Sequence, residues 1–301
     1  MKKTVDCTAE AADLEKNGTV SAKTLLEKKL QLTRRQISRL KFTDGLSVNG
    51  MKVYVCDRLE PGDVLHIEFN EEETGICAQG TSMPVILYED EDLVIVNKPA
   101  GIPVHPVHGH QDDTLGSILQ RYYAAKHQSL IIRPVGRLDK DVTGVMVYAK
   151  NQVSAARLNM QRQSGALKKT YLAAGQGEAE EKTGIYTDHI FRIEENRQRE
   201  ISEKGSLCIL HYEVLSAGMM DCLPFILMKI QIETGRTHQI RAQMAHHGHP
   251  LFGDELYGGS CISMIRPALH CMHISLHQPF TDKIIEAEAP VPEDMQCFID
   301  H

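Results

Sequence analysis

The run Arg137-Leu138-Asp139-Lys140-Asp141-Val142-Thr143-Gly144 passes directly into Val145-Met146-Val147-Tyr148-Ala149. An acid sits in a turn, a Gly follows it, and a strand of buried character comes next. The strand requires a core to receive it. It also holds the carboxylate at its mouth in one place, which is what a reacting group needs. Read alone, Asp139 is better taken as a turn acid that accepts backbone N–H bonds. Three later stretches change that reading.

A chain of 301 residues, 42% of them apolar, can build such a core in one large domain or in two. No stretch approaches the roughly 20 apolar residues of a membrane span. The N-terminus, Met1-Lys2-Lys3-Thr4-Val5-Asp6, carries charge with no apolar core behind it. It does not read as a signal peptide, so the expected location is cytoplasmic. The 8 cysteines form no C-x-x-C pair, which points to reduced thiols. The net charge of −7 argues weakly against nucleic acid, but it is unevenly spread. Residues 21–58 hold nine Lys/Arg against three acids, a local +6 that leaves −13 for the rest. Local charge decides where a phosphate backbone can sit.

Residues 1–18 are polar and read as a loose N-terminal tail. Residues 19–69 read as a small α+β unit. Leu25, Leu26, Leu30 and Leu32 give an apolar stripe, Thr33 caps a helix from Arg34 to Phe42, and Asn49-Gly50 signals a hairpin. That helix sets Arg34, Arg35, Arg39 and Lys41 around Ile37 and Leu40. On charge alone it is as easily a solvated face as an RNA contact. Residues 70–82 read as an acidic linker. Residues 83–301 read as one α+β domain. Strands are expected at 85–88, 93–97, 145–149, 168–174, 207–214 and 224–233. Helices are expected after a cap at Asp113 or Thr114, after Asn151, and from Thr237 to His247 before Gly248. Residues 175–206 read as an insertion or a hairpin with loops. Strands outnumber helices and connect irregularly, so the sheet should be mixed and mostly antiparallel, not doubly wound.

Several chemistries lack their residues. The 15 His include His105, His108, His110 and the cluster His246, His247, His249. Their spacing is loose and no thiolate pairs accompany them, so no metal is expected. G-x-x-x-x-G-K-[ST], G-x-G-x-x-G and G-x-S-x-G are all missing. What remains is a carboxylate, a phenol and a guanidinium: Asp139, Tyr171 and Arg236. An Arg beside an Asp keeps the acid ionised and fixes its direction. A carboxylate so held can attack an electron-poor sugar carbon, and a phenol can serve as acid or base. Each alone is more simply a turn Asp, a core Tyr and a surface Arg.

Together and in this order, the motifs resemble the RluA-type pseudouridine synthases. The resemblance covers about residues 83–295. Lys98-Pro99-Ala100-Gly101 with His105-Pro106 is one motif, Arg137-Leu138-Asp139 with Thr143-Gly144 another, and Lys169-Thr170-Tyr171 a third. The longest is Thr234-Gly235-Arg236-Thr237-His238-Gln239-Ile240-Arg241, followed by His249-Pro250-Leu251-Phe252-Gly253-Asp254, Tyr257-Gly258-Gly259 and Ala268-Leu269-His270. Gly136 and Val142-Thr143 stand where the family usually has His and Thr-Ser. Upstream, Thr33-Arg34-Arg35-Gln36-Ile37-Ser38-Arg39-Leu40 with Gly45, Val48, Asn49-Gly50 and Pro61-Gly62-Asp63 is similar to the S4 domain, a small RNA-binding module.

The resemblance implies conversion of uridine to pseudouridine inside an RNA chain, without metal or cofactor. It makes Asp139 the essential acid at the ribose anomeric carbon and Tyr171 the residue that packs on the base and acts as general base. Arg236 would pair with Asp139, while Arg137, Lys169 and Arg241 would contact RNA, with Arg34, Arg35, Arg39 and Lys41 adding phosphate contacts from the N-terminal unit. Ribosomal RNA is the favoured partner and transfer RNA the alternative, with the protein a monomer. Two other readings stay open: a non-catalytic RNA-binding protein on the same fold, and a sugar hydrolase, which would need a second carboxylate at a defined distance.

Overall fold

The structure is a computed structural model that describes residues 2–15, 18–32, 37–38, 40, 45–70, 83–105, 113–128, 130–193 and 198–300. Its N-terminal unit comprises β1 (Lys2–Thr8), β2 (Val20–Ser21), α1 (Ala22–Lys28), β3 (Leu46–Val48), β4 (Met51–Lys52), β5 (Arg58–Leu59) and β6 (Val64–Asn70). A four-stranded sheet runs β1-β6-β3-β4, and β2 pairs with β5. The Ser21 hydroxyl caps α1 by accepting from Thr24 N–H at 3.1 Å. Asn49 and Gly50 have φ of +50° and +82°, the positive pair that a tight two-residue hairpin requires. Leu25 and Leu26 of α1 bury against Leu46, Val48, Leu65 and Ile67 of the sheet.

The expected loose tail is instead a strand, paired antiparallel with β6 from Lys2↔Asn70 to Thr8↔Val64. Cys7 and Ala9 point inward while Thr4, Asp6 and Thr8 are exposed. That period-two alternation is masked by a polar composition. The expected basic helix falls largely outside the described residues, as do Arg34, Arg35, Arg39 and Lys41 and residues 71–82 of the expected linker. Within it, Ile37 and Leu40 are buried.

The larger part contains β7 (Val85–Glu89), β8 (Leu93–Lys98), α2 (Leu115–Ala125), β9 (Arg133–Val135), β10 (Thr143–Ala149) and α3 (Gln152–Ser164). It continues through β11 (Lys168–Gln176), β12 (Thr183–Arg192), β13 (Arg199–Ile201), β14 (Ser206–Met220), β15 (Leu223–Ile232) and α4 (Gln239–His246). It ends with β16 (Leu269–His277), β17 (Ile284–Glu288) and α5 (Glu293–Gln296). An eleven-stranded sheet runs β13-β12-β14-β15-β11-β16-β10-β8-β7, with β17 added to β16 and β9 to β10. Thr114 and Asn151 cap α2 and α3 as their side chains suggest, accepting from Ser117 and Ser154 N–H at 3.1 and 2.9 Å. Residues 183–213 make a long ribbon, β12 against β14, with α4 packed on it through Ala242 against Ile190 and Cys208.

The centre of the sheet positions the site. All strand pairs among the described residues are antiparallel except β10 with β16, which run parallel for only two pairs, Thr143↔His270 and Gly144↔Cys271. Beyond them the strands part; β9 continues along β10 and β17 along β16. Gly144 has φ +111°, and a Cβ there would lie 2.1 Å from the Cys271 carbonyl oxygen. Only glycine lets the two backbones approach this closely. Beside it, buried His270 bonds the Ala289 carbonyl through Nε2 at 3.2 Å. That places the ring proton on Nε2, so the Thr143 hydroxyl donates to Nδ1, 2.8 Å away. Burial lowers the His270 pKa, in keeping with a neutral ring.

Every residue of β10 is buried. The two parts of the chain touch through α3: Val153 joins the N-terminal core, and Arg157 donates to the Lys29 carbonyl at 3.2 Å and to the Pro279 carbonyl at 2.6 Å. No helix among the described residues is long and apolar enough to cross a membrane.

Candidate active site

Asp139 sits in the turn that feeds β10. Leu138 and Val142 bury on either side of it, and Val142 N–H donates to the Asp139 carbonyl at 3.2 Å, closing the turn. A second clamp comes from Lys98 at the end of β8. Its ammonium donates to the carbonyls of Pro99 and Ile102 at 2.8 Å each and of Lys140 at 2.6 Å. Three donors meet three acceptors, so the Pro/Gly loop after β8 and the Asp139 turn are fastened at one point. Burial pulls the Lys98 pKa down to about 7, against the opposing pull of Asp141 and Asp139.

Three cationic or ring nitrogens face the Asp139 carboxylate, whose side chain is 16% exposed. Arg241 Nη1 is 3.4 Å from Oδ2, His238 Nε2 is 3.7 Å from the same oxygen, and Arg137 Nη2 is 3.9 Å from Oδ1. Arg241 spends its best geometry elsewhere. Its Nε and Nη2 each donate to buried Asp254 at 2.6 Å, a forked pair that fixes the guanidinium plane. Its remaining edge is then aimed at Asp139. Burial works against the Arg241 charge, but the Asp254 bonds and both carboxylates outweigh it and raise its pKa. Tyr257 lies under the guanidinium, 5.2 Å from ring centre to carbon, and its hydroxyl accepts from Arg199 N–H at 2.8 Å. That hydroxyl is free to donate to His238 Nδ1 at 3.1 Å, which leaves Nε2–H of a neutral His238 facing Asp139. Burial lowers the His238 pKa, against the pull of Asp139.

The arrangement corrects one expectation. Arg236 lines the same cleft, but among the described residues it makes no ion pair with Asp139. It is exposed in the turn before α4, where its N–H donates to the Gln239 side-chain oxygen at 3.1 Å. Arg241, expected to contact RNA, is the residue that reaches the acid. The reason is legible in α4: Ile240, Ala242 and Met244 around Arg241 are all buried. An Arg inside such a helix must find a carboxylate, because an unpaired buried charge is costly. His238, Asp254 and Tyr257 belong to the site through the same helix and the loop after it. Arg137 is half exposed and donates to the Thr237 hydroxyl at 3.2 Å, joining the Asp139 turn to the start of α4.

Tyr171 lies on β11 opposite Cys271 and lines the cleft from within the sheet. Burial, with Cys271 and Asp139 adding to it, raises its phenol well above the ordinary range, so it keeps its proton at neutral pH. Lys169, two residues earlier on the same face, has its pKa lowered by burial. The cleft is open and encloses about 890 Å³. Arg137, Arg162, Lys168, Lys169, Arg236 and Arg241 line it, against the acids Asp139 and Glu233. A chain of net charge −7 thus surrounds this carboxylate with cations. Such a site can hold an anionic polymer across its rim while the Asp139 carboxyl group meets a sugar carbon at its floor.

Comparison with known proteins agrees with this geometry. The family model for RNA pseudouridylate synthase matches residues 92–246. The RNA pseudouridine synthase YhcT of Bacillus subtilis, described as uncharacterized, is 36% identical over 239 residues, 79% of this chain and 78% of its own length. The ribosomal large subunit pseudouridine synthase D of Pseudomonas aeruginosa is 34% identical over 267 residues, 83% of this chain and 81% of its own. In fold, the solved human RNA pseudouridylate synthase domain containing 1 superposes with a TM-score of 0.58 at 23% identity, covering 71% of this chain and 86% of that one. A carboxylate set on a sheet seam, a buried phenol beside it and a cation-lined cleft thus occur in a chain that belongs to the RNA pseudouridine synthases of the RluA type, isomerases that act on uridine in RNA.

Proposed function

We propose that this enzyme modifies a uridine of large-subunit ribosomal RNA, with Asp139 as the reacting carboxylate, Arg241 as its partner and Tyr171 as the proton-handling phenol. In the isomerisation, the N1–C1′ bond of the nucleotide breaks and a C5–C1′ bond forms. A proton leaves C5 and N1 gains one, so nothing is added overall. Asp139 attacks or stabilises C1′ as the base departs. Tyr171 packs on the base and takes part in proton transfer at the sugar. The carrying observation is the Asp139–Arg241–Asp254 chain: Arg241 keeps a 3.4 Å contact to Asp139 while its fork is held by Asp254. The acid is directed without being locked into a tight pair, so one oxygen remains available to the sugar.

The ribosomal substrate rests on relatives such as the Pseudomonas aeruginosa enzyme above, whose name assigns it to the ribosomal large subunit. Arg137 and Arg236 at the rim supply phosphate contacts, and the target base leaves its stack to reach Asp139. The N-terminal unit acts as an S4-like RNA-binding domain through Arg34, Arg35, Arg39 and Lys41. The deciding experiment maps pseudouridine in the ribosomal and transfer RNA of cells lacking the gene, restored with wild type or Asp139→Asn. A large-subunit uridine modified by wild type alone supports the reading. A transfer RNA site replaces the substrate, and equal modification by Asp139→Asn removes Asp139 from the chemistry.

A further inference from the structure

Away from the cleft, the ribbon and α4 meet at a second cluster of charged and ring side chains that the isomerisation does not use. Asp188 on β12 and His246 and His247 at the end of α4 each present one ligand atom, all within 4.8 Å of one another. None of the three lines the catalytic cleft. We propose that these residues form a binding site for a divalent transition ion of the Zn²⁺ class, built from two imidazole nitrogens and one carboxylate oxygen.

Two members are already fixed in place. The Asp188 side chain is only 9% exposed, and both its oxygens face His247 Nε2, at 3.1 and 3.3 Å. The His247 ring stacks flat on Tyr186, with centroids 3.7 Å apart and planes 3° from parallel. Behind them sits fully buried Gln243. Its amide nitrogen donates to Asp188 Oδ2 at 2.7 Å and to the Tyr186 carbonyl at 3.3 Å. The Gln243 side-chain oxygen is buried without a partner. The amide therefore leaves its oxygen unsatisfied while orienting a carboxylate. Outer-shell residues of metal sites orient their ligands in this way, and they are conserved for it in metalloproteins generally.

His246 is exposed, and its ring lies 5.1 Å from that of His247 at 87°. In a tetrahedral zinc site, metal–ligand bonds of about 2.0 Å put neighbouring donors roughly 3.3 Å apart. His246 is free to swing in by that margin, and water completes the shell on the open side. Two nitrogens and one oxygen favour zinc-like ions over Mg²⁺ or Ca²⁺, which take oxygen ligands. The carbonyl end of α4 also favours a cation. Sequence spacing hides the site, because Asp188 is brought to the histidines only by the packing of the ribbon on α4. A bound ion would pin β12 to the far end of the helix whose first turns carry His238 and Arg241.

The test uses the full chain, stripped with a chelator and titrated with Zn²⁺ by calorimetry and with Co²⁺ by absorption. One site is expected. His246→Ala, an exposed change that leaves packing intact, and Asp188→Asn should each abolish it, and Gln243→Ala should weaken it by about 10-fold or more. The Co²⁺ spectrum should lack a thiolate charge-transfer band. Absence of binding, undiminished binding by His246→Ala, a thiolate band from the cysteines, or equal affinity for Mg²⁺ would each overturn the assignment.

Discussion

At the scale of single residues, the site turns on which arginine serves Asp139. Arg241 is buried and forked onto Asp254, whereas Arg236 is exposed at the rim. Arg241→Ala should lower single-turnover pseudouridine formation by about 10²–10³, the usual effect of removing one preorganised charge stabiliser. Arg236→Ala should act chiefly on RNA affinity and leave the bound-state rate within about 10-fold. A reversed order would restore Arg236 as the partner. Lys98 gives a second prediction, this time in stability. Burial draws its folded-state pKa to about 7, below the unfolded value. Between the two values the unfolded chain binds more protons, so stability should rise with pH from about 7 toward the ordinary lysine value. Below about 7 the cost of burying the charge is fully present. Urea unfolding across that range, compared with Lys98→Met, should show the rise in wild type alone. The sequence pointed to Asp139 and Tyr171 as chemistry-bearing residues, and the structure puts both at one cleft. It misled on the arginine because both candidates lie in one motif, and only the burial of α4 separates them.

Among the elements, the two-pair contact between β10 and β16 is the least replaceable. A methyl group on Gly144 would strike the Cys271 carbonyl and require a positive φ as well. Gly144→Ala should cost at least ~2 kcal/mol, from overpacking and backbone strain together, and should reduce activity further by moving the Asp139 turn. Chemical denaturation and a rate assay on the folded fraction separate the two effects. Most elements of the larger sheet were legible. Val145–Ala149 and Leu93–Asn97 are apolar runs of strand length, and Thr114 and Asn151 are recognisable caps. The first strand was hidden because its inward positions, Val5, Cys7 and Ala9, alternate with polar residues in a short polar stretch. The strand at 207–214 is legible in the sequence, but residues 175–206 read there as an insertion or a hairpin with loops, because β12 and much of β14 are solvated along their length. No local pattern could announce the parallel contact, which joins residues more than 120 positions apart.

For the whole molecule, charge placement outweighs charge total. The cations that line the cleft include Arg162 and Lys168, both exposed and neither paired with Asp139. Replacing either with Ala should weaken RNA binding and reduce the slope of log affinity against log salt by about 1, leaving the rate on bound RNA unchanged. Binding titrations at several salt concentrations test this. The seam at the centre of the sheet has one more consequence. Everything from β7 through α3 lies on one side of it in sequence, and everything from β11 onward on the other. Asp139 belongs to the first stretch; Tyr171 and Arg241 belong to the second. The enzyme is a clasp whose two jaws are consecutive pieces of chain, joined by the exposed Gly165-Ala166. Cut there, each piece alone should leave uridine unmodified, and pseudouridine mapping of RNA incubated with both pieces should show the modification return only where they have closed on each other.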